Sequence, residues 1–405
     1  MSNSKLLNKF LVIFIFIDIL LLPNFKYFVM PISLPLVLWV IFTKRVTIQK
    51  DREFLLFLIL SILVLVSVCL SFLQVPNYLA NGLNVWLENI KRAFQLITSF
   101  AYYFLIRDYL NKYPVKIKNI LLLFVFFYVI LGIISMLNIG VYFGIKEFLG
   151  IRDPFMNPFF VNNNDYLFRY SYLFIDPNNS AYLFQMVTFY LLLNEKLNIT
   201  EKLLIFLSII FSLILSMSTG AVLSLIVFVF LSIILRIREL PKIRITYKKL
   251  ITTIITPFIL IIIFYFAKFL LENYLNHIAN YSMDRMLGNT DGGRLNKYGY
   301  MFGNSIPNLI GEGYTLIRDS VIFRPHSDQL RFLYSYGIVA YLIAIWFFFR
   351  GLLFNAKYLF LIPAFFAFSI NSLIDEQKLL ISLLILLAYL KTIHLIKRQN
   401  KQEGV

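Results

Sequence analysis

KNILLLFVFFYVILGIISMLNI, residues 118–139, decides the fold. After Lys118 this run carries no charged side chain. A hydrocarbon core about 30 Å thick is crossed by about 20 apolar residues of helix, which satisfies all of its backbone groups internally. The run is a membrane span. On its N-terminal side comparable runs occupy 9–23, 27–43, 54–73 and 93–110. On its C-terminal side they occupy 177–194, 202–218, 220–236, 250–271, 331–349, 358–374 and 378–396. The sequence therefore reads as an all-α polytopic integral membrane protein with about twelve transmembrane helices.

Composition agrees. Of 405 residues, 60% are hydrophobic and only 15% charged, more apolar surface than a soluble domain of this size can bury. The 43 Phe and 25 Tyr suit lipid-facing and interfacial positions. The one cysteine, Cys69, excludes an internal disulfide and reads as a small buried apolar residue. No linker, fixed-period repeat or low-complexity tract divides the chain, so one membrane domain over 1–405 is expected.

Basic residues set the orientation. Lys44, Arg45, Lys50, Arg52, Arg107, Lys112, the cluster from Arg236 to Lys249, Arg350, Lys357 and Lys391 all fall on one side. With both termini there too, that side holds most of the 38 basic residues and is cytoplasmic. Loops 140–176 and 272–330 then face outward. The net charge of +17 is this bias and not a nucleic-acid footprint; the basic clusters suit anionic lipid headgroups.

The polar stretch 273–331 interrupts the hydrophobic pattern and carries most of the candidate chemistry. Asp291 reads as an N-cap, and Arg294 follows in the first turn of a helix whose Leu295, Tyr298, Met301 or Phe302, and Ile306 share one face. Pro307 ends that helix, and Gly311-x-Gly313 supplies a turn. A guanidinium beside helix-start N–H groups makes an anion site; pairing with Asp291 or a lipid phosphate is the alternative. His326 lies between Arg324 and Asp328, with a free imidazole pKa of about 6.5 suited to accepting a proton near neutrality.

In the other outward loop, Arg169 sits among Tyr166, Tyr170 and Tyr172, ahead of Asp176-Pro177-Asn178. Asp176 as N-cap with Pro177 at the first position starts a helix well. Ser216, Ser218, Thr219 and Gly220 make a tight outward turn between two spans. Asp18, a carboxylate inside the first span, is read as capping or pairing within the bundle. The chain has no GxxxxGK[ST] or GxGxxG loop, no HExxH and no Asp-x-Asp pair, so neither ATP hydrolysis nor a bound metal or cofactor is expected.

Taken in order, three segments resemble the O-antigen polymerase and O-antigen ligase family of bacterial envelope polysaccharide assembly. Arg169 with Phe174-Ile175-Asp176-Pro177-Asn178 is similar to the family's arginine ahead of an acidic-Pro-Asn helix start. Gly293-Arg294-x-x-x-Tyr298, with Pro307 and Gly311-x-Gly313, is similar to its Gly-Arg segment. His326-Ser327-Asp328-Gln329-Leu330 with Tyr336-Gly337 is similar to its histidine segment. Ser216-x-Ser218-Thr219-Gly220 matches in part, since many ligases have Arg where this chain has Thr219.

The resemblance implies a GT-C-like, metal-independent, inverting glycosyltransferase using undecaprenyl-diphosphate-linked glycans as donor and acceptor. The reaction would run at the periplasmic face of the inner membrane, in a site formed by the two outward loops. It assigns Arg169 and Arg294 to the diphosphate and His326 to the proton of the attacking hydroxyl, with Asp328 orienting it. Tyr166, Tyr170, Asp176, Asn178, Tyr298 and Arg324 would line the substrate. A chain-length regulator and a flippase are the protein partners it suggests. Ligases and capsule or exopolysaccharide polymerases share the pattern. A lipid-linked oligosaccharide flippase or transporter is the rival of another class.

Overall fold

In the computed structural model the described residues are 2–24, 30–43, 46, 51–74, 79–80, 83–151, 168–239, 299, 302–303, 306–313, 316–318, 321–323, 327–371, 373–374 and 376–402. Tyr166, Arg294, Tyr298, Arg324 and His326 lie outside them, as does the span expected at 250–271. By its internal contacts the chain divides into two compact units, Met1–Leu225 with Pro307–Val405, and Ile226–Ile306. The described residues of the candidate site, Arg169, Tyr170, Asp176, Asn178 and Asp328, belong to the first unit.

The chain is predominantly helical. In order come α1 (Ser2–Leu21), α2 (Leu34–Phe42), α3 (Arg52–Gln74), α4 (Val85–Lys112), α5 (Lys118–Leu137) and α6 (Ile139–Phe148). Then come α7 (Pro177–Asn194), α8 (Ile199–Ser216), α9 (Thr219–Glu239), the short α10 (Asp328–Arg331), α11 (Ile338–Phe354), α12 (Ile362–Ile370) and α13 (Gln377–Gln402). A π-helical turn, Phe332–Tyr336, joins α10 to α11, and a 3-10 segment, Ala356–Leu361, leads into α12. Beside the helices stand two short antiparallel hairpins. One pairs β1 (Leu79–Ala80) with β2 (Leu83–Asn84), the other β3 (Leu316–Arg318) with β4 (Val321–Phe323).

Among the described residues, three helices are long and apolar enough to cross a membrane: Arg52–Leu73 of α3, α5 and α8. Each keeps large apolar side chains on its outside, such as Leu73, Phe126 and Leu204, 58% or more exposed. An apolar surface of that extent marks contact with a non-aqueous medium. Cys69 stands on α3 and is exposed, which corrects its reading as a buried residue. Shorter apolar helices run over Thr219–Leu235, Ile338–Leu353 and Ala356–Ile370.

Two helices form the interior. Every residue of α7 from Asn179 to Leu191 is buried, and so is every residue of α13 from Gln377 to Leu390. A helix apolar on all sides belongs inside a bundle. α13 runs along α4, and α7 packs on α8, α12 and the 3-10 segment.

Charges assigned to one side from sequence gather at one place. Glu53 accepts from Arg107 Nη1 at 3.0 Å and Lys391 Nζ at 2.6 Å, and also from Tyr103 and Arg350. A buried carboxylate stays charged only with such company. Asp18 does both things expected of it. Its carboxylate accepts from the Ser33 amide at 2.7 Å, and Lys378 Nζ pairs with it at 3.5 Å while donating to the Asp18 carbonyl at 2.7 Å.

Candidate functional site

Arg169 is presented by a segment locked from beneath. Tyr170 and Tyr172 are buried, with the Tyr170 hydroxyl donating to the Tyr128 carbonyl at 2.7 Å and that of Tyr172 to Leu20 O at 3.1 Å. The Tyr170 ring lies edge-on to Tyr128, with centroids 5.1 Å apart, and tilts against Tyr142 at 5.5 Å. Burial pushes the Tyr170 phenol well above its usual range, so it stays a neutral donor. A ring enclosed this way is a packing element, not the substrate-lining residue expected. From α6, Lys146 reaches under the same segment and donates to Ser171 Oγ and Phe174 O, both at 2.7 Å.

The guanidinium of Arg169 meets the turn between α8 and α9. Nε donates to Ser216 O at 2.9 Å, and Nη2 donates to Met217 O at 3.3 Å and Asn178 Oδ1 at 2.9 Å. Cations favour helix C-termini, where carbonyls lack intrahelical partners. Here the turn is tight because Met217 adopts a left-handed conformation, φ 47°. Gly220 follows because a Cβ there would stand 1.9 Å from the Tyr182 hydroxyl.

Asp176 is the N-cap of α7, as the sequence predicts. Its Oδ1 accepts from the Asn178 amide at 2.8 Å and from Asn178 Nδ2 at 2.9 Å. Asn178 thus ties the cap to Arg169. On its other side Asp176 Oδ2 accepts from Asn371 Nδ2 at 3.3 Å, and the same nitrogen donates to Asn179 Oδ1 at 2.7 Å. Asn371 closes α12, and its carbonyl accepts from the Asp328 amide at 3.2 Å.

Asp328 is completely buried. Its Oδ2 accepts from the amides of Leu373 and Ile374, the latter at 2.7 Å, and Oδ1 lies 3.5 Å from Arg331 Nη1. Ser327 caps α10 and donates to Ser369 O at 2.7 Å. The carboxylate therefore organises the 371–374 loop, a role the sequence reading did not foresee when it gave Asp328 the task of orienting His326. These contacts fix the chain immediately after His326 beside Asn371.

The Gly311-x-Gly313 segment is not the simple turn expected. Glu312 N donates to Tyr334 O at 3.2 Å and Gly313 N to Ser335 O at 2.7 Å, so the segment lies along the π-helical turn. A Cβ on Gly311 would fall 2.2 Å from the Ser335 carbonyl carbon, and Gly313 has φ +100°. Only glycine allows this approach.

Several residues here escaped the sequence reading. Arg92, on α4, donates to Gln95 Oε1 at 2.9 Å and acts electrostatically on Arg331, Tyr336 and Glu376. Half-buried Glu376, just before α13, accepts from Asn24 at 3.1 Å. Burial pushes its carboxyl up to about 7, Asp176 adds to the rise, and Lys378 and Arg92 oppose it. The signal for Asn371 was its asparagine at the end of an apolar run; nothing in the sequence linked it to Asp176. Arg92 carried no signal in the sequence beyond its positive charge.

Together the two segments give guanidinium groups, an amide-rich helix start, and a titratable carboxyl at the ends of apolar helices. Comparison with protein families, curated proteins and solved structures finds no match for the chain.

Proposed function

We propose that this protein is an O-antigen polymerase. It joins undecaprenyl-diphosphate-linked oligosaccharide repeat units at the periplasmic face of the bacterial inner membrane, as a twelve-span protein with cytoplasmic termini. The observation that carries the reading is the hydrogen-bond chain Arg169–Asn178–Asp176–Asn371–Asp328. It joins the arginine segment to the segment that follows His326, two of the three parts of the resemblance, across a large sequence separation.

The chemistry needs no cofactor, because the donor is already activated. The acceptor hydroxyl oxygen attacks the anomeric carbon, the bond from that carbon to the diphosphate oxygen breaks, and the electron pair leaves on the diphosphate. His326 accepts the hydroxyl proton. Arg169 and Arg294 meet the charge that develops on the leaving group; loss of one such donor costs about 3 kcal/mol in other enzymes.

The test uses purified protein and lipid-linked repeat units. New glycosidic bonds in the wild type, lost in His326→Ala at equal protein level, support the reading. Passage of the lipid across a vesicle membrane without bond formation would make it a flippase instead. Deleting the gene separates polymerase from ligase: single repeat units on the lipid A core indicate a polymerase, and no units at all a ligase. A capsule or exopolysaccharide polymerase would leave the core unchanged.

A further inference from the structure

The exposed faces of α3 and α11 meet at one tryptophan. The two helices pack together and run in opposite directions. Arg52, at the start of α3, lies over the Trp346 ring of α11 at 5.8 Å from its centroid. Ser71, near the other end of α3, lies against Gly313, beside the π-helical turn that leads into α11. Arg350, late in α11, lies over the same Trp346 ring at 6.0 Å. The negative face of an indole attracts a guanidinium held over it in this way.

From each arginine an apolar stripe runs along its helix. On α3, Leu55, Ile59 and Ile62 follow Arg52 at helical spacing, and on α11 Val339, Leu342 and Trp346 lead to Arg350 at the same spacing. All six of these apolar side chains are exposed. From Arg52 to Ile62, and from Val339 to Arg350, the rise is about 16 Å, half of a hydrocarbon core about 30 Å thick. Each stripe therefore spans one leaflet, and its arginine stands at headgroup level.

Charge at this level is unbalanced. Arg107, Arg350 and Lys391 converge on Glu53, and Arg107 also pairs with Asp51 at 2.7 Å. With Arg52, four cations stand against two carboxylates. Arg52 is exposed, and among the described residues its guanidinium makes no ion pair.

The excess charge selects the occupant. A phosphodiester brings one negative charge and oxygens that accept from guanidinium groups. A zwitterionic headgroup adds a cation, which the excess repels. A second copy docked symmetrically by this face would set the same arginines against each other.

We propose that Arg52, Trp346 and Arg350 form a site for an anionic phospholipid, with its phosphate at the two guanidinium groups and its acyl chains along the α3–α11 stripes. Its occupancy does not depend on glycosyl transfer.

The test uses the full chain carrying Trp39→Phe and Trp86→Phe, which leaves Trp346 as its one indole. The protein is reconstituted in phosphatidylcholine bilayers, and part of the lipid is replaced by brominated phosphatidylglycerol or brominated phosphatidylcholine. Bromine on an acyl chain quenches an indole that it touches, so the fluorescence reads which lipid lies against Trp346. Phosphatidylglycerol should be preferred on the order of fivefold. Arg52→Gln should lower that preference about twofold or more, and Arg52→Lys, which keeps the charge, should retain it. Unchanged quenching by phosphatidylcholine in both variants certifies that Trp346 still faces lipid.

Equal quenching by the two lipids would overturn the proposal. A preference that Arg52→Gln leaves intact would overturn it too, and would assign the effect to diffuse surface charge. No quenching by either lipid would show Trp346 covered by a second copy of the chain, with the same consequence.

Discussion

Asn371 and Asp176, 195 positions apart in the chain, meet through a hydrogen bond of 3.3 Å from Asn371 Nδ2 to Asp176 Oδ2. The contact couples the start of α7 to the end of α12. Because the Asn371 carbonyl also receives the Asp328 amide, one residue sets the spacing between the arginine and histidine segments.

Replacing Asn371 should therefore disturb function more than stability. Asn371→Ala removes two donated bonds, a loss of about 1–3 kcal/mol. Asn371→Asp additionally sets a carboxylate against Asp176, and like charges repel. The proposed glycosyl-transfer activity of purified protein should fall on the order of tenfold in the first variant and further in the second. Wild-type chain-length ladders from Asn371→Asp at equal protein level would show that the spacing does not matter.

Arg169→Lys is expected to fail although it keeps the charge. The fork reaches Ser216 O, Met217 O and Asn178 Oδ1 at once, and an ammonium on a flexible stem cannot reproduce that plane. Loss of activity with an unchanged gel-filtration profile is the outcome to look for. Full activity in the lysine variant would remove Arg169 from the site.

Lys146→Met tests the support beneath Arg169. Its ammonium is buried and donates to Ser171 Oγ and Phe174 O. Removing it strands a buried carbonyl, at a cost of about 1–3 kcal/mol. A lowered melting temperature in detergent is expected. An unchanged one would mean that segment 168–176 holds itself in place.

Glu376 gives stability a pH dependence whose sign can be stated. Its folded carboxyl lies at about 7 against an ordinary 4.5, so the folded state binds more protons than the unfolded chain between those values. Stability should fall as pH rises through that window, by up to about 1.4 kcal/mol per unit and less for the group's partial exposure. Above about 7 this contribution is flat. Glu376→Gln should abolish that part of the slope. A melting profile from pH 4.5 to 8 that is the same in both proteins would assign the slope to other groups.

Gly311→Ala should destabilise the fold. The added Cβ would collide with the backbone of Ser335, which no rotamer change can relieve, and overpacking of this kind costs about 1–3 kcal/mol or more. Wild-type thermal stability would show that the 308–313 segment can move away from the π-helical turn.

Local chemistry in the sequence was enough for some of the helices and their ends. The run from 118 to 139 is α5, ending at Leu137, because apolar length and backbone satisfaction leave no other choice. Asp176-Pro177 starts α7 at the position predicted, because an N-cap and a proline act within one turn. Two expectations about single side chains failed for lack of local signal. Cys69 reads as buried because small apolar residues usually are, yet its face of α3 turns outward. Tyr170 was expected to line the substrate, yet it packs among Tyr128 and Tyr142 from other helices.

The sequence alone determined that this is a helical, membrane-type chain carrying arginines and carboxylates between its apolar helices, since hydropathy and capping operate over a few residues. Only the tertiary structure decided which of those polar groups share a site. Asn371 joins Asp176, Asp328 turns to the 371–374 loop, and Arg92 acts on Glu376 through packing of helices remote in sequence, and no spacing rule encodes such contacts.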